Sequence, residues 1–166
     1  MTKNIDQSVK DRLKNLARSS DRDYNFVCIQ YMHERFLARL EQSDYKECFI
    51  LKGALLLLAY DVSRVRPTKD IDFLADHLSN QVDEIETAIR QIAEIDLEDG
   101  VQFHGDKIEI DEITKDADYT GLRVRLSALV GGDHQRLQID IAVYYFAFLI
   151  SYVIEVLLNR NCASPK

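Results

Sequence analysis

At 166 residues the chain fits one domain, long enough to bury roughly two thirds of the surface its unfolded form exposes, so one core should stand without covalent staples. Three cysteines at irregular spacing, with no CxxC pair, exclude a disulfide framework and a zinc site and read as reduced thiols. A net charge of −7, from 28 acidic against 21 basic residues, excludes a general nucleic-acid binder unless basic residues gather locally. The N-terminus, MTKNIDQSVKDRLKNL, is charged from its start and lacks the apolar run of a secretory signal, which points to the cytoplasm. Segment 141–154, IAVYYFAFLISYVI, is uncharged but shorter than the roughly 20 residues that span a bilayer, and Asp140 and Glu155 bracket it. It reads as buried, with no membrane partner. With six glycines, two prolines and no repeat, the chain shows no linker. It is taken as one domain, 1–166, made of N-terminal helices (1–45), a core (46–143) and an apolar C-terminal segment (144–166).

Residues 8–18 read as a short amphipathic helix. Residues 23–42 read as a longer one, with Phe26, Ile29, Tyr31, Met32, Phe36, Leu37 and Leu40 at helical spacing. Cys48 to Leu51 is a short apolar run ending in Lys52-Gly53, and Ala54 to Tyr60 continues apolar, as expected of a strand feeding a buried helix with Gly53 at the junction. After Pro67, Thr68 to Ala75 alternates, Ile71 and Phe73 on one side and Asp70 and Asp72 on the other, which is a half-buried strand. Residues 80–95 carry Val82, Ile85, Ile89 and Ile92 on one helical stripe. Three strands follow, marked by Ile108 and Ile110, by Leu122, Val124 and Leu126, and by Leu137, Ile139, Ile141 and Val143. The element order predicts an α/β (α+β) domain, a mixed sheet with helices on one side and the other face open.

On that strand Asp70 and Asp72 leave the same face about 7 Å apart at Cα and can converge on a metal. Transfer at a phosphate needs such acids, because Mg²⁺ takes hard oxygen ligands, bridges a triphosphate and neutralises charge developing on the attacking and leaving oxygens. A DxD strand alone also fits two solvated acids. Lys52-Gly53-Ala54, at a strand-to-helix junction, offers free backbone N–H groups and a glycine that permits close approach of a phosphate, although a glycine at a turn can also be only a turn. Asp140 stands between Ile139 and Ile141 in an otherwise apolar strand, where an acid is costly unless solvated or liganded.

The three features match polymerase-β-like nucleotidyltransferases, which combine a G-[GSA] turn, a DxD strand and a distant single acid on another strand. More specifically, the chain resembles the AbiEii family of nucleotidyltransferase toxins from about Ser8 to Ile141. The resemblance runs through SVKDRLKNLARSSDRDY, YMHERFLARLEQS, FILKGALLLLAY, RPTKDIDFLA, YTGLRVRLSAL and LQIDIA, in that order. It implies the nucleotidyltransferase type of sheet, Gly53 and Ala54 as the nucleotide-phosphate turn, and Asp70, Asp72 and Asp140 as catalytic acids and ligands of Mg²⁺ or Mn²⁺. Lys52, Arg66, Thr68 and Lys69 lie within the matching motifs as triphosphate contacts, arginine suiting phosphate through its paired donors. For Arg66 and Lys69 a solvated loop charge is the equal alternative. Arg123 and Arg125 share a strand face and either bind nucleotide or acceptor or pair with the acids there. His33, His77, His104 and His134 show no ligand spacing, and surface or packing roles are expected of them.

Two departures shape the functional expectation. Ala54 stands where many relatives carry Ser, so a hydroxyl contact to phosphate is missing. The family continues past the third acid with a glycine-aspartate turn and a helical region, whereas IDIAVYYFAFLISYVIEVLLNRNCASPK ends this chain, so the acceptor-handling half is expected to be lacking. The leading expectation is Mg²⁺-dependent transfer of a nucleoside monophosphate from an NTP to an RNA such as tRNA, or to a protein hydroxyl. The resemblance alone implies a toxin with a cognate antitoxin. The alternatives are a catalytically silent relative serving as an interaction module, and a kinase or nucleotide sensor using the same acids. The crowded apolar segment 141–158 is expected to mediate a homo-oligomer or hold a partner.

Overall fold

Two capped helices open the chain. In α1 (Thr2–Ser20) the buried residues Val9, Leu13 and Ala17 recur every fourth position and so share one face. The helix ends where Asp21 takes a left-handed φ of 52° and the Arg22 amide reaches back to the Ala17 carbonyl at 3.0 Å. It is longer than the 8–18 stripe foretold, because Ile5, Asp6 and Gln7, none of them buried, extend it. Helix α2 (Tyr24–Gln42) starts at the N-cap Asp23, whose carboxylate accepts the Phe26 amide at 3.1 Å, and stops at Ser43, whose backbone N–H returns to the Leu40 carbonyl. The computed structural model describes residues 2–60, 68–76, 78, 81–116 and 119–143. Arg66, and the proposed association segment from residue 144 on, lie outside the described residues.

After α2 come β1 (Phe49–Lys52), α3 (Gly53–Tyr60), β2 (Asp70–Ala75), α4 (Val82–Ala93), β3 (Val101–Asp116), β4 (Tyr119–Val130) and β5 (Asp133–Val143). Helix α4 places Asp83 and Glu84 in its first turn and Arg90 in its last, in the sense that complements the helix dipole. Strand β3 is much longer than the Ile108–Ile110 alternation reveals. A register shift between Phe103 and Ile108 breaks its period, which hides its first part from sequence patterning. The five strands form one sheet in the order β1-β2-β5-β4-β3. Only β2 and β5 run parallel; the other three pairings are antiparallel, so the sheet is mixed as foretold. Gly131 and Gly132, at φ 54° and 83°, make the two-residue turn between β4 and β5, a conformation that other residues adopt at a cost.

One sheet face is apolar: Ile71, Phe73, Ile139, Ile141, Leu122, Val124, Leu126 and Leu137 are buried there against α1, α2 and α4. Helices and sheet share one core, which runs from Val9 of α1 to Ile141 of β5. Arg39 of α2 is 1% exposed and fully used within that core. It pairs both oxygens of Asp99 at 2.8 and 3.0 Å and donates to the carbonyls of Arg35, Ile95 and Val101, so all five guanidinium hydrogens have acceptors. The segment joining α4 to β3 is thereby fastened to α2. Among the described residues no helix is long and apolar enough to cross a membrane.

Candidate active site

The opposite sheet face is charged, and its layout follows from register. Directly paired residues of adjacent strands point to the same side, and the pairings Lys52↔Asp72, Asp72↔Asp140, Asp140↔Arg123 and Arg123↔Asp111 run in one row across all five strands. In the neighbouring row stand Asp70, Gln138, Arg125 and Glu109. Asp70, Asp72 and Asp140 therefore share one face, with Asp140 on the strand next to the DxD pair. The parallel β2–β5 pairing makes this juxtaposition, although 68 residues separate Asp72 from Asp140.

Gly53 abuts Asp72 on the same face. It follows Lys52 directly, begins α3, and has a left-handed φ of 71°. A Cβ on it would lie 2.2 Å from Asp72 Oδ2 and 2.9 Å from Asp72 Cγ. Only glycine combines that backbone conformation with that approach. Ala54 follows in the first turn of α3, and Lys52 stands directly opposite Asp72 on the edge strand.

Thr68 and Lys69 lie just before β2 but differ in setting. Thr68 is buried and its hydroxyl donates to Asp70 Oδ1 at 2.6 Å, so it fixes the first acid of the pair. Lys69 is exposed. Asp140 is only 3% exposed, and Arg123 grips both of its oxygens, Nε to Oδ1 and a terminal nitrogen to Oδ2, each at 2.8 Å. That bond raises the already high pKa of the guanidinium further. Among the described residues no three acidic, histidine or cysteine side chains are gathered closely enough to cage a metal ion. Farther along the face, Arg125 pairs with Asp111 and Arg136 with Glu109, both with exposed acids.

His33 of α2 is completely buried, and neither ring nitrogen finds a hydrogen bond of good geometry. Burial pushes its pKa down to about 4, while the charge of Asp70 and the nearby Lys69 backbone act weakly in the other sense. The histidine is thus a neutral packing group under the DxD turn. Sequence patterning left the role of Arg123 open, yet a signal for it existed. The Gly-Gly turn at 131–132 fixes the β4–β5 hairpin so that paired residue numbers sum to 263, and that register joins Arg123 to Asp140.

The family model described as "Nucleotidyl transferase AbiEii toxin, Type IV TA system" matches residues 35–144. The chain belongs to the AbiEii nucleotidyltransferase toxin family. No curated protein matches the sequence. Among solved structures, an H. pylori protein assigned as a nucleotidyltransferase is similar at 17% identity and a TM-score of 0.37. The match covers 69% of this chain and 43% of that one, so this chain spans less than half of that protein's length.

Proposed function

We infer that the charged sheet face binds an NTP with a divalent cation and transfers its nucleoside monophosphate to an acceptor hydroxyl. The observation that carries this reading is the contact of Gly53 with Asp72. It brings the start of α3, where the first amides lack intrahelical acceptors, against the carboxylate of the DxD pair. A triphosphate received by those amides lies beside Asp72, with Lys52 one strand away and Lys69 at the surface near Asp70. The donor set suits Mg²⁺ or Mn²⁺, since Mg²⁺ is held by one or two carboxylates together with substrate phosphates rather than by an all-protein cage. Asp70 and Asp72 supply those oxygens, Asp70 being steadied by Thr68. The cation would neutralise charge developing on the transferred phosphoryl group. Asp140, facing Asp72 from β5, completes the acidic set.

The acceptor in this reading is an RNA end, with tRNA included, or a protein hydroxyl. Family membership supports a toxin paired with an antitoxin, and segment 141–158 is proposed as the association surface for that partner or for a second copy. Incubation with each of the four α-labelled NTPs, Mg²⁺ and total RNA or cell protein should place label on one acceptor class. Asp70→Asn with Asp72→Asn should abolish both the transfer and the rise in thermal stability that NTP and Mn²⁺ produce by mass action. A double variant with an undiminished shift would mean that the cation binds elsewhere and would overturn the assignment.

A further inference from the structure

We propose that Arg123 is the positioning residue of Asp140 and the competitor that an incoming metal ion must displace from it. This rests on the nucleotidyltransferase reading above. Asp72 and Asp140 are directly paired on adjacent strands, which lie about 4.8 Å apart, so two like charges face each other at short range. Asp140 is also buried, at 3% exposed, and a buried carboxylate needs a partner of opposite charge. Arg123, paired with Asp140 from the other side, supplies that charge. Its fork takes one hydrogen bond to each carboxylate oxygen, which fixes the plane of the carboxylate as well as its place.

Arg123 itself is differently placed. Its side chain is 29% exposed, against 4% for that of Asp140, so the guanidinium can turn toward solvent while the acid cannot. A cation held by Asp72 and Asp140 would stand within roughly 7 Å of the guanidinium, since Asp72 and Arg123 are two strand spacings apart. The arginine therefore does two opposed things. It holds Asp140 ready beside Asp72, and it occupies the oxygens that the metal ion needs. Lys would retain the charge but lose the paired donors that set the carboxylate plane.

The opposition gives a signature that a merely structural ion pair lacks. In Arg123→Met the full chain should bind Mn²⁺ more tightly, by about tenfold, the effect of removing one positive charge some 7 Å from a dication in a water-like medium. The same variant should lose turnover by roughly a hundredfold, because the third acid is no longer aimed, with KM for NTP little changed. Arg123→Lys should keep wild-type Mn²⁺ affinity within about twofold, because the competing charge is retained, and should restore part of the turnover. The measurements are Mn²⁺ titration by electron paramagnetic resonance, without nucleotide, and label transfer from NTP. If Arg123→Met is insoluble, Arg123→Gln, which removes the charge but keeps a polar side chain, takes its place with the same criteria: tighter Mn²⁺ binding with lower turnover supports the proposal, and unchanged or weaker Mn²⁺ binding overturns it. Mn²⁺ affinity in Arg123→Met equal to or weaker than wild type also overturns it. Asp70→Asn with Asp72→Asn separates the levels: if that variant loses Mn²⁺ and transfer while Arg123→Met behaves as wild type, only the role of Arg123 fails. If the acid variant keeps both, the parent reading fails instead.

Discussion

Replacing Gly53 with alanine tests the geometry of the site more severely than removing any of its charges. Two costs arise. The backbone at φ 71° is the left-handed conformation, which an L residue adopts at about 1–2 kcal/mol. The added methyl would also sit 2.2 Å from Asp72 Oδ2 and 3.0 Å from Asp72 Cβ. Rotation of the carboxylate relieves the first of these contacts but not the second, so β2 and the start of α3 must move apart, at about 1–3 kcal/mol for such overpacking. For a chain of this size the sum of about 2–5 kcal/mol corresponds to a fall in Tm of about 5–20 °C. A shift of Asp72 approaching 1 Å should cost about a hundredfold in transfer rate. Two further variants divide these causes. Gly132→Ala carries the same kind of backbone penalty at φ 83° with nothing within 4 Å of the new methyl, so it should lose stability and keep activity. Gly53→Asn should recover part of the Tm, since asparagine tolerates the left-handed region, but not the activity, because its Cβ meets the same carboxylate. Thermal unfolding and NTP label transfer on the three proteins give the answer. A Gly53→Ala protein with wild-type transfer, or one no less stable than Gly132→Ala, would refute the reasoning.

Other tests follow from the buried polar groups. Arg39→Met leaves Asp99 buried without its counter-charge and should cost about 3–5 kcal/mol in urea unfolding, with Asp99→Asn in the same chain restoring part of it; a loss under about 1 kcal/mol would show that the pair is not a fastening. His33 has a folded pKa lowered to about 4, so the unfolded chain takes up its proton first and stability falls as pH drops from about 6.5 toward 4. His33→Leu should remove that dependence and gain about 2 kcal/mol on wild type at pH 5 relative to pH 8; parallel stability profiles for the two proteins would exclude it.

What the sequence revealed and what it hid divide along a physical line. Alternation with period two placed Asp70, Asp72 and Asp140 on strands, because each acid interrupts an apolar series whose neighbours must be buried. The stripes of α2 and α4 were legible for the same reason at period 3.6. The contact between Gly53 and Asp72 was not, since a glycine at a junction reports a permitted conformation and not what approaches it. Thr68 was expected on phosphate, but the structure spends its hydroxyl on Asp70, a local bond that a T-x-D spacing allows without requiring. Arg39 sits on the buried stripe between Phe36 and Leu40, which signals a paired charge. Its partner Asp99, 60 residues away, depends on how the chain returns from α4. The opening of β3 was lost because a register shift erases the period on which strand reading depends.

The position of β5 in the sheet has a consequence for the order in which activity can arise. The last described strand in sequence is the central one in space, wedged between β2 and β4. Until it has been made, the chain holds two separate ribbons, β1 with β2 and β3 with β4, neither of which has a complete apolar face to set against the helices. Non-local parallel pairing of this kind is slow to form and cannot nucleate from local contacts alone. A nascent or clipped chain that stops short of β5 thus lacks both the seam of the sheet and the third acid, so the fold and the acidic site come into being in the same event. Truncation before β5 therefore removes the central strand and Asp140 together, so no fragment that ends at β4 can present the row Lys52, Asp72, Asp140 and Arg123.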